Sequence, residues 1–191
     1  MNANPALVAA ALLFLFIMLE GRSRVGDAAR SLAAGGDDAG STRRIGIAFV
    51  LSANAFIISS LLAVTGIGAF DEGIARAGVV VMLAGMALRL WSARVLGASY
   101  TRTLRVAATQ RLVRAGPYRV VRHPGYAGSI LMWTGAAIAS GDVLGVVVIV
   151  FVTVRAYTLR VRAEDRMLKA RFGPEYDDYA RRVRGLVPFV F

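Results

Sequence analysis

The side chains best suited to chemistry fall into two short polar stretches, each at the edge of a long apolar run. The first spans residues 112–126 and holds the single histidine of the chain, His123, together with three arginines and two tyrosines. Gly116-Pro117 and His123-Pro124 are turn signals, so the backbone here is predicted to be irregular. Together these features predict a pocket lined by polar and aromatic side chains.

The second stretch, residues 160–165, follows the last apolar run and contains Arg160, Glu164 and Asp165. Arg160 and Glu164 are four residues apart, so they share one face if the apolar run continues as a helix. Glu164 and Asp165 are paired acids next to an apolar run, where a charge without a use is costly. The competing interpretation is an ordinary i,i+4 ion pair worth a few tenths of a kcal/mol.

Several classes of site are excluded by residues that the sequence lacks. The absence of cysteine excludes a disulfide, a thiolate metal site and a cysteine nucleophile. One histidine cannot form a multi-histidine zinc or di-iron cluster, so no metal site is predicted. Gly66-Ile67-Gly68 has no third glycine three residues on, so it is not a dinucleotide-binding fingerprint.

The elements that must position these residues are predicted to be helices in a membrane. Hydrophobic residues make up 57% of the 191 residues and charged residues 18%, with a mean hydropathy of +0.58. A soluble domain is about 45–50% apolar and about 25% charged. The excess forms five apolar runs, at residues 5–19, 45–70, 74–96, 126–140 and 143–157. Because an open strand would leave backbone groups unpaired in lipid, we predict an all-α polytopic integral membrane helical bundle with about five transmembrane helices.

The arginines set the predicted orientation of the bundle. Most of them lie after the first, third and fifth runs, whereas the tight turns 71–73 and 141–142 carry only acidic charge. The positive-inside rule then puts the basic segments, and with them the active site, on the cytoplasmic side and the N-terminus outside. This topology explains the formal net charge of +11 without nucleic acid, which is not a predicted partner. We therefore expect a multi-pass integral membrane protein, in the inner membrane if the source is bacterial.

In this arrangement residues 112–126 lie at the cytoplasmic border of the membrane. Irregular backbone at that depth is tolerated where it is buried in protein or lines a cavity, which favours a pocket. The alternative is a basic loop that only sets the topology, with Tyr118 and Tyr126 as interfacial anchors.

Both polar stretches occur together, in the same order, in one known family. The chain resembles the isoprenylcysteine carboxyl methyltransferase family, which is related to membrane phospholipid methyltransferases, and the match extends over roughly residues 85–191. One departure is Asp165, where the family has a second glutamate. The matching residues are Leu112-Val113, Gly116-Pro117-Tyr118-Arg119, Arg122-His123-Pro124-Gly125-Tyr126 and Gly128, then Arg160, Glu164-Asp165, Leu168, Phe172-Gly173, Tyr176 and Tyr179.

The resemblance implies one integral membrane methyltransferase domain over residues 1–191, with N-terminal spans in 1–84 and the cofactor-binding catalytic part in 85–191. It implies S-adenosylmethionine as cofactor, held by the last helices and the cytoplasmic segments. The implied cofactor-binding residues are Leu112, Val113, Gly116, Tyr118, His123, Pro124, Tyr126 and Glu164. The implied catalytic residues are Arg160, Glu164 and Arg122, with the two arginines facing the acceptor or the cofactor carboxylate.

The predicted reaction is methyl transfer from S-adenosylmethionine to a lipophilic acceptor, either prenylated or a small molecule such as a phenolic or quinone-like lipid, with membrane lipid as the surrounding partner. A carboxylate acceptor needs no base and an arginine would orient it, whereas a phenol, amine or thiol would lose a proton to Glu164. Two alternatives stay open: an NADPH-dependent membrane reductase of the sterol-reductase kind, and a non-catalytic membrane protein. A transporter is disfavoured because the ionisable residues cluster at the ends of the runs.

Overall fold

The computed structural model describes residues 4–22, 40–66, 68–97 and 111–186. Within these ranges the chain is helical and has no strand, apart from two isolated bridges. A single 3-10 turn, Gly116–Arg119, precedes the fourth helix. The helices are α1 (Pro5–Arg22), α2 (Ser41–Val64), α3 (Glu72–Leu96), α4 (Pro124–Ala139), α5 (Val143–Phe172) and α6 (Pro174–Arg182).

The five predicted apolar runs all form helices, which confirms the all-α fold. Three of them, α2, α3 and α5, are long and apolar enough to cross a membrane, while α1 has a shorter apolar part, Pro5–Glu20. The predicted number of about five transmembrane helices stays a prediction, because α4 has only 16 residues. The predicted basic segments of residues 23–39 and 98–110 lie outside the described residues, as do residues 187–191.

Acidic residues begin two of the long helices. Oδ1 of Asp71 accepts hydrogen bonds from the backbone N–H groups of Gly73 (2.8 Å) and Ile74 (3.1 Å), which caps α3. Oδ1 of Asp142 accepts one from Gly145 (2.9 Å) and caps α5. Such caps satisfy amide groups that the first turn of a helix leaves unpaired. The two aspartates of the predicted tight turns, Asp71 and Asp142, are therefore helix caps.

The two tight turns are joined to each other. Phe70 donates a backbone hydrogen bond to the carbonyl of Gly141 (2.8 Å), and Val143 donates one to Gly68 (3.2 Å). Ala69 and Asp142 form an isolated antiparallel bridge between these bonds. We call this contact the turn latch. It fixes the helix pairs α2–α3 and α4–α5 at one common level, and all four helices run from it towards the opposite end of the bundle.

α3 and α4 pack against each other through glycines. We call the set Gly78 and Gly85 of α3 with Gly128 and Gly135 of α4 the glycine interface. A Cβ atom added to Gly85 would lie 2.3 Å from the backbone N of Met132, and one added to Gly135 would lie 2.2 Å from that of Met82. The two backbones are therefore so close that only glycine fits. This contact sets the position of α4, whose first turn carries His123 and Tyr126.

Two helix boundaries differ from the predicted runs. α2 ends at Val64 rather than 70, because Gly66 and Gly68 adopt positive φ angles of 78° and 67° and make a turn. α5 continues fifteen residues beyond 157, to Phe172, and ends at Gly173, which is followed by Pro174. The continuation gives Arg160 and Glu164 the shared helical register predicted from their spacing.

Candidate active site

His123 lies between two carboxylates of α5. Its Nε2 is 2.6 Å from Oδ1 of Asp165, and its Nδ1 is 3.5 Å from Oε2 of Glu164. Because consecutive residues of a helix point about 100° apart, Glu164 and Asp165 can reach the two nitrogens of one imidazole. The side chain of His123 is only 3% exposed. This geometry suits an imidazolium that donates from Nε2 to Asp165 and faces the Glu164 carboxylate with Nδ1.

The electrostatics of His123 agree with this assignment. Burial lowers the pKa of His123, but the hydrogen bond to Asp165 and the negative charge of Glu164 outweigh burial and raise it to about 9. His123 is therefore protonated at neutral pH. Tyr176 of α6 donates a hydrogen bond to the same oxygen of Asp165, and burial together with this bond raises the pKa of the Tyr176 hydroxyl.

Tyr126 connects the imidazole to Arg160. The Tyr126 ring stacks on His123 with the centroids 5.7 Å apart and the planes within 7°, and it also meets Tyr157 at 5.5 Å. Its hydroxyl accepts a hydrogen bond from Nε of Arg160 (3.2 Å). Arg160 is only 4% exposed. His123, Tyr126, Arg160 and Glu164, four of the predicted site residues, are thus brought together.

Arg160 is also held by the start of α2. Its Nη1 donates to the hydroxyls of Ser41 (2.8 Å) and Thr42 (2.9 Å). The N-terminal spans therefore contribute to the site, although the prediction assigned residues 1–84 only to membrane spanning. That division of the domain stays a prediction, and these contacts cross it.

Arg122 faces α6 instead of the Tyr126 side of the site. Its guanidinium donates to the backbone carbonyls of Ala180 (3.1 Å) and Val183 (2.5 Å) and to Oδ2 of Asp165 (3.2 Å). Its own backbone N–H donates to Arg184. These bonds dock α6 against the start of α4, which makes Arg122 an anchor for Asp165. The role implied for it in facing the acceptor stays a prediction.

The remaining predicted cofactor residues form the approach to His123. Leu112 and Val113 lie outside any helix and are half-buried, and Gly116 has a φ of 57° beside Trp91 and Val95 of α3. Tyr118 is 7% exposed, and its carbonyl accepts a hydrogen bond from Tyr179 of α6 (2.6 Å). Burial raises the pKa of Tyr179 to about 12. Pro124 is fully buried at the first position of α4.

The residues that sequence reasoning missed are partners from distant helices. Ser41 and Thr42 carried no signal beyond being short polar residues before an apolar run. Arg89 of α3 pairs with Glu20 of α1 (2.5 Å) and donates to the carbonyl of Gly125 (3.2 Å). Asp165 was grouped with Glu164 in the second polar stretch but was assigned no role in the site, and it binds His123 directly.

Two side-chain atoms of the predicted site residues that the structure describes are buried without a hydrogen bond, Nε of Arg122 and Oε2 of Glu164. Among the described residues, Oε2 of Glu164 accepts none, since the Nδ1 atom of His123 is too far away at 3.5 Å for a good one. A buried acceptor left unsatisfied costs about 1–3 kcal/mol, so a ligand that donates to it is favoured. Next to it lie the Tyr126 and Tyr157 rings, which are tilted by 36° to each other, and the buried Arg160 guanidinium. This set of groups suits a ligand that carries an amine or hydroxyl donor, a planar ring and an anionic group.

Known proteins are similar to this chain over the part that holds the site. The family model described as phospholipid methyltransferase matches residues 74–175. A protein of Oryza sativa subsp. indica named "Probable protein-S-isoprenylcysteine O-methyltransferase" is 30% identical over 115 residues, which cover 59% of this chain and 60% of that protein. Protein-S-isoprenylcysteine O-methyltransferase B of Arabidopsis thaliana is 29% identical over 119 residues, covering 61% and 60%. The chain thus spans three fifths of the length of these curated relatives.

The fold is similar to that of a solved membrane protein. The eukaryotic intramembrane Ras methyltransferase ICMT (isoprenylcysteine carboxyl methyltransferase) superposes with a TM-score of 0.69 at 23% sequence identity. The superposition covers 97% of this chain and 65% of that one. At this identity the likeness establishes the helical membrane fold.

Proposed function

The chain belongs to the phospholipid methyltransferase family, and from this premise we propose that it transfers a methyl group from S-adenosylmethionine to a lipophilic acceptor at the cytoplasmic face of a membrane. The observation that carries the proposal is the group of buried side chains around the unsatisfied Oε2 of Glu164. The family match includes this group, since residues 74–175 contain His123, Tyr126, Arg160 and Glu164.

The residues present fit the methyl donor. S-adenosylmethionine offers N–H and O–H donors on its amino acid and ribose, and Oε2 of Glu164 is a buried acceptor that needs one. Tyr126 and Tyr157 supply aromatic faces for an adenine ring or a sulfonium. His123, locked between Glu164 and Asp165, holds the Glu164 carboxylate in place. Leu112, Val113, Gly116 and Tyr118 would close the approach beside α3.

The donor supplies an electrophilic methyl group, so the work left to the protein is alignment and exclusion of water. The 3-10 turn, α4 and α5 bury His123 and Arg160 to 5% exposure or less, which excludes water from their polar atoms. The hydrogen bonds from Arg160 to Ser41, Thr42 and Tyr126 fix the direction of its guanidinium. A guanidinium in this position is suited to orient an anionic group, such as a carboxylate, by paired hydrogen bonds.

The acceptor is proposed to be a prenylated or lipid-like molecule. Two relatives carry names that specify an isoprenylcysteine substrate, and α2, α3 and α5 are long enough to place the site beside a bilayer. A carboxylate acceptor needs no general base. For a phenol, amine or thiol acceptor, Glu164 is the carboxylate placed to take the proton.

The cytoplasmic orientation is part of the same proposal. The helix starts at the turn latch carry Asp71 and Asp142, whereas the opposite end of the bundle carries the basic residues of α2, α5 and α6. Basic residues favour the cytoplasmic side, so the site at that end faces the cytoplasm.

The test is binding of the donor and of its demethylated product. S-adenosylmethionine and S-adenosylhomocysteine are titrated by calorimetry into the detergent-purified chain, its Glu164→Gln variant and a Glu72→Gln control. Glu72 is a half-exposed carboxylate at the far end of α3, paired with Arg76. We expect both ligands to bind, with Glu164→Gln weakening them about tenfold or more and the control unchanged. Binding of NADPH instead of either sulfur ligand would contradict the proposal and favour a membrane reductase.

A further inference from the structure

One exposed face of α5 changes from apolar to basic along its length. Leu144, Val148 and Phe151 are 59%, 39% and 70% exposed. Arg155, Arg162 and Arg166 follow, and all three are exposed. Spacings of seven and four residues put these arginines on one side of the helix, in line with the apolar residues before them. We call the three the arginine row.

The arginine row has no protein partner within the part of the chain that the structure describes. Neither α2 nor α4, the helices packed against α5, contains an aspartate or glutamate. Every carboxylate of α5 and α6 is paired with another base: Glu164 and Asp165 with His123, Glu175 with Arg114, Asp177 with Lys169, and Asp178 with Arg181 and Arg182. Within the described ranges, no carboxylate is left to supply the counter-charge for the row.

The distance along α5 from the turn latch gives the depth of the arginine row in the membrane. At about 1.5 Å per residue from Val143, Arg155 lies about 18 Å along α5, Arg162 about 28 Å and Arg166 about 34 Å. The hydrocarbon core of a bilayer is about 30 Å thick. Trp91 of α3, which is 51% exposed, lies about 28 Å from the start of its helix and marks the interface at the same level as Arg162.

The row therefore begins inside the hydrocarbon depth and ends among the headgroups. A guanidinium facing lipid at the depth of Arg155 is costly unless an anion accompanies it. On a face whose earlier residues contact acyl chains, the anion within reach is a lipid phosphate. Arginine binds phosphate through paired hydrogen bonds, and each basic residue near an anionic bilayer surface adds to the attraction.

We propose that the arginine row binds the headgroup phosphate of an anionic phospholipid whose acyl chains lie along Leu144, Val148 and Phe151. Because three arginines share one face without any carboxylate, a lipid with net negative charge is preferred over a zwitterionic lipid. The bound lipid would lie against the outer side of the helix whose inner side carries Arg160 and Glu164.

The experiment measures lipid preference by native mass spectrometry of the detergent-purified full chain. Phosphatidylglycerol and phosphatidylcholine with identical acyl chains are titrated separately, and retained lipid is counted. The variant is Arg162→Gln/Arg166→Gln. The matched control is Arg181→Gln/Arg182→Gln, which removes the same charge from two exposed arginines that are paired with Asp178. Unfolding temperature in each lipid gives a second readout, because bound lipid stabilises the folded state.

We expect the wild type and the control to prefer phosphatidylglycerol by about tenfold or more, and the row variant to lose most of that preference. The unfolding temperature should rise with phosphatidylglycerol in the same two proteins only. Equal retention of both lipids by the wild type would overturn the proposal, and so would an unchanged preference in the row variant or an equal loss in the control. Displacement of the lipid by inorganic phosphate alone would assign the row to free anions and also overturn it.

Discussion

α4 is held at its two sides by contacts of opposite kinds. Along its length it meets α3 through the glycine interface, where no side-chain atom separates the backbones. At its start it meets α5 and α6 through His123, Asp165 and Tyr176, which join by charge and hydrogen bonds. The glycine interface fixes the distance between α3 and α4, because added atoms have no room. The polar contact fixes the orientation of the start of α4 relative to α5 and α6, and its strength depends on the protonation of His123.

The largest expected effect comes from breaking the glycine interface. In Gly85→Ala the new Cβ would lie 2.3 Å from the backbone N of Met132, so α3 and α4 must separate. We expect a loss of about 3 kcal/mol or more in the free energy of unfolding, measured as a lower thermal midpoint in detergent. The control is Gly46→Ala on α2, where nothing lies within 4 Å and alanine favours the helix. Equal midpoints for the two variants would contradict the close packing.

The polar contact is expected to respond to pH. The pKa of His123 is 6.5 in the unfolded chain and about 9 in the folded one, so its stabilising contribution is complete below pH 6.5. Between pH 6.5 and 9 the folded state holds a proton that the unfolded state has released, so stability falls as pH rises, by up to about 3 kcal/mol. Thermal midpoints across this range measure it. His123→Gln should flatten the curve, and an equally steep curve in that variant would assign the effect to another group.

A smaller effect separates docking of α6 from binding of the donor. Arg122→Gln removes the guanidinium that bonds Ala180, Val183 and Asp165. We expect a loss of about 2 kcal/mol in stability, because removal of the charged donor leaves two partly buried carbonyls and Asp165 without this partner. Affinity for S-adenosylhomocysteine should fall less than in Glu164→Gln, as calorimetry would show. The reverse order would mean that Arg122 contacts the ligand, as the family resemblance implies.

The smallest predicted effect concerns the hydroxyl of Tyr176. Tyr176→Phe removes its hydrogen bond to Asp165 and leaves the ring in place, so about 1 kcal/mol of stability should be lost. Asp165 would then bind His123 without a competing donor. The pH-dependent fall in stability should therefore persist in this variant. Its disappearance would show that Tyr176, and not His123, controls the response.

Sequence patterns predicted much of this molecule, and the reasons differ by region. The apolar runs predicted the helices because lipid allows a single chain segment few other structures. Arg160 and Glu164 were placed correctly relative to each other because their spacing is a property of one helix. The family resemblance, predicted over roughly residues 85–191, is confirmed by the match of the family model to residues 74–175.

What the patterns missed depends on contacts between distant segments. Nothing near Ser41 in the sequence indicates that its hydroxyl would meet Arg160, 119 residues later. The glycine interface was also missed, because each glycine is ordinary within its own helix and only the approach of the partner gives it meaning. Likewise, the continuation of α5 to Phe172 was predicted only as a condition for Arg160 and Glu164 to share a face. The sequence could not establish it, because the polar turns of α5 are stabilised by His123 and by α6.

The turn latch restricts how α2 and α5 can move relative to each other. The helix pairs are joined at one end by the backbone hydrogen bonds of Gly68, Phe70, Gly141 and Val143. If α2 and α5 tilt relative to each other, the axis of rotation lies at this end. Arg160 lies about 26 Å along α5 from that axis, so a tilt of about 5° would displace it by about 2 Å. The same tilt leaves the latch residues almost still. A small tilt of α5 relative to α2, with no change inside either helix, would thus increase the distance between Ser41 and Arg160 by about 2 Å.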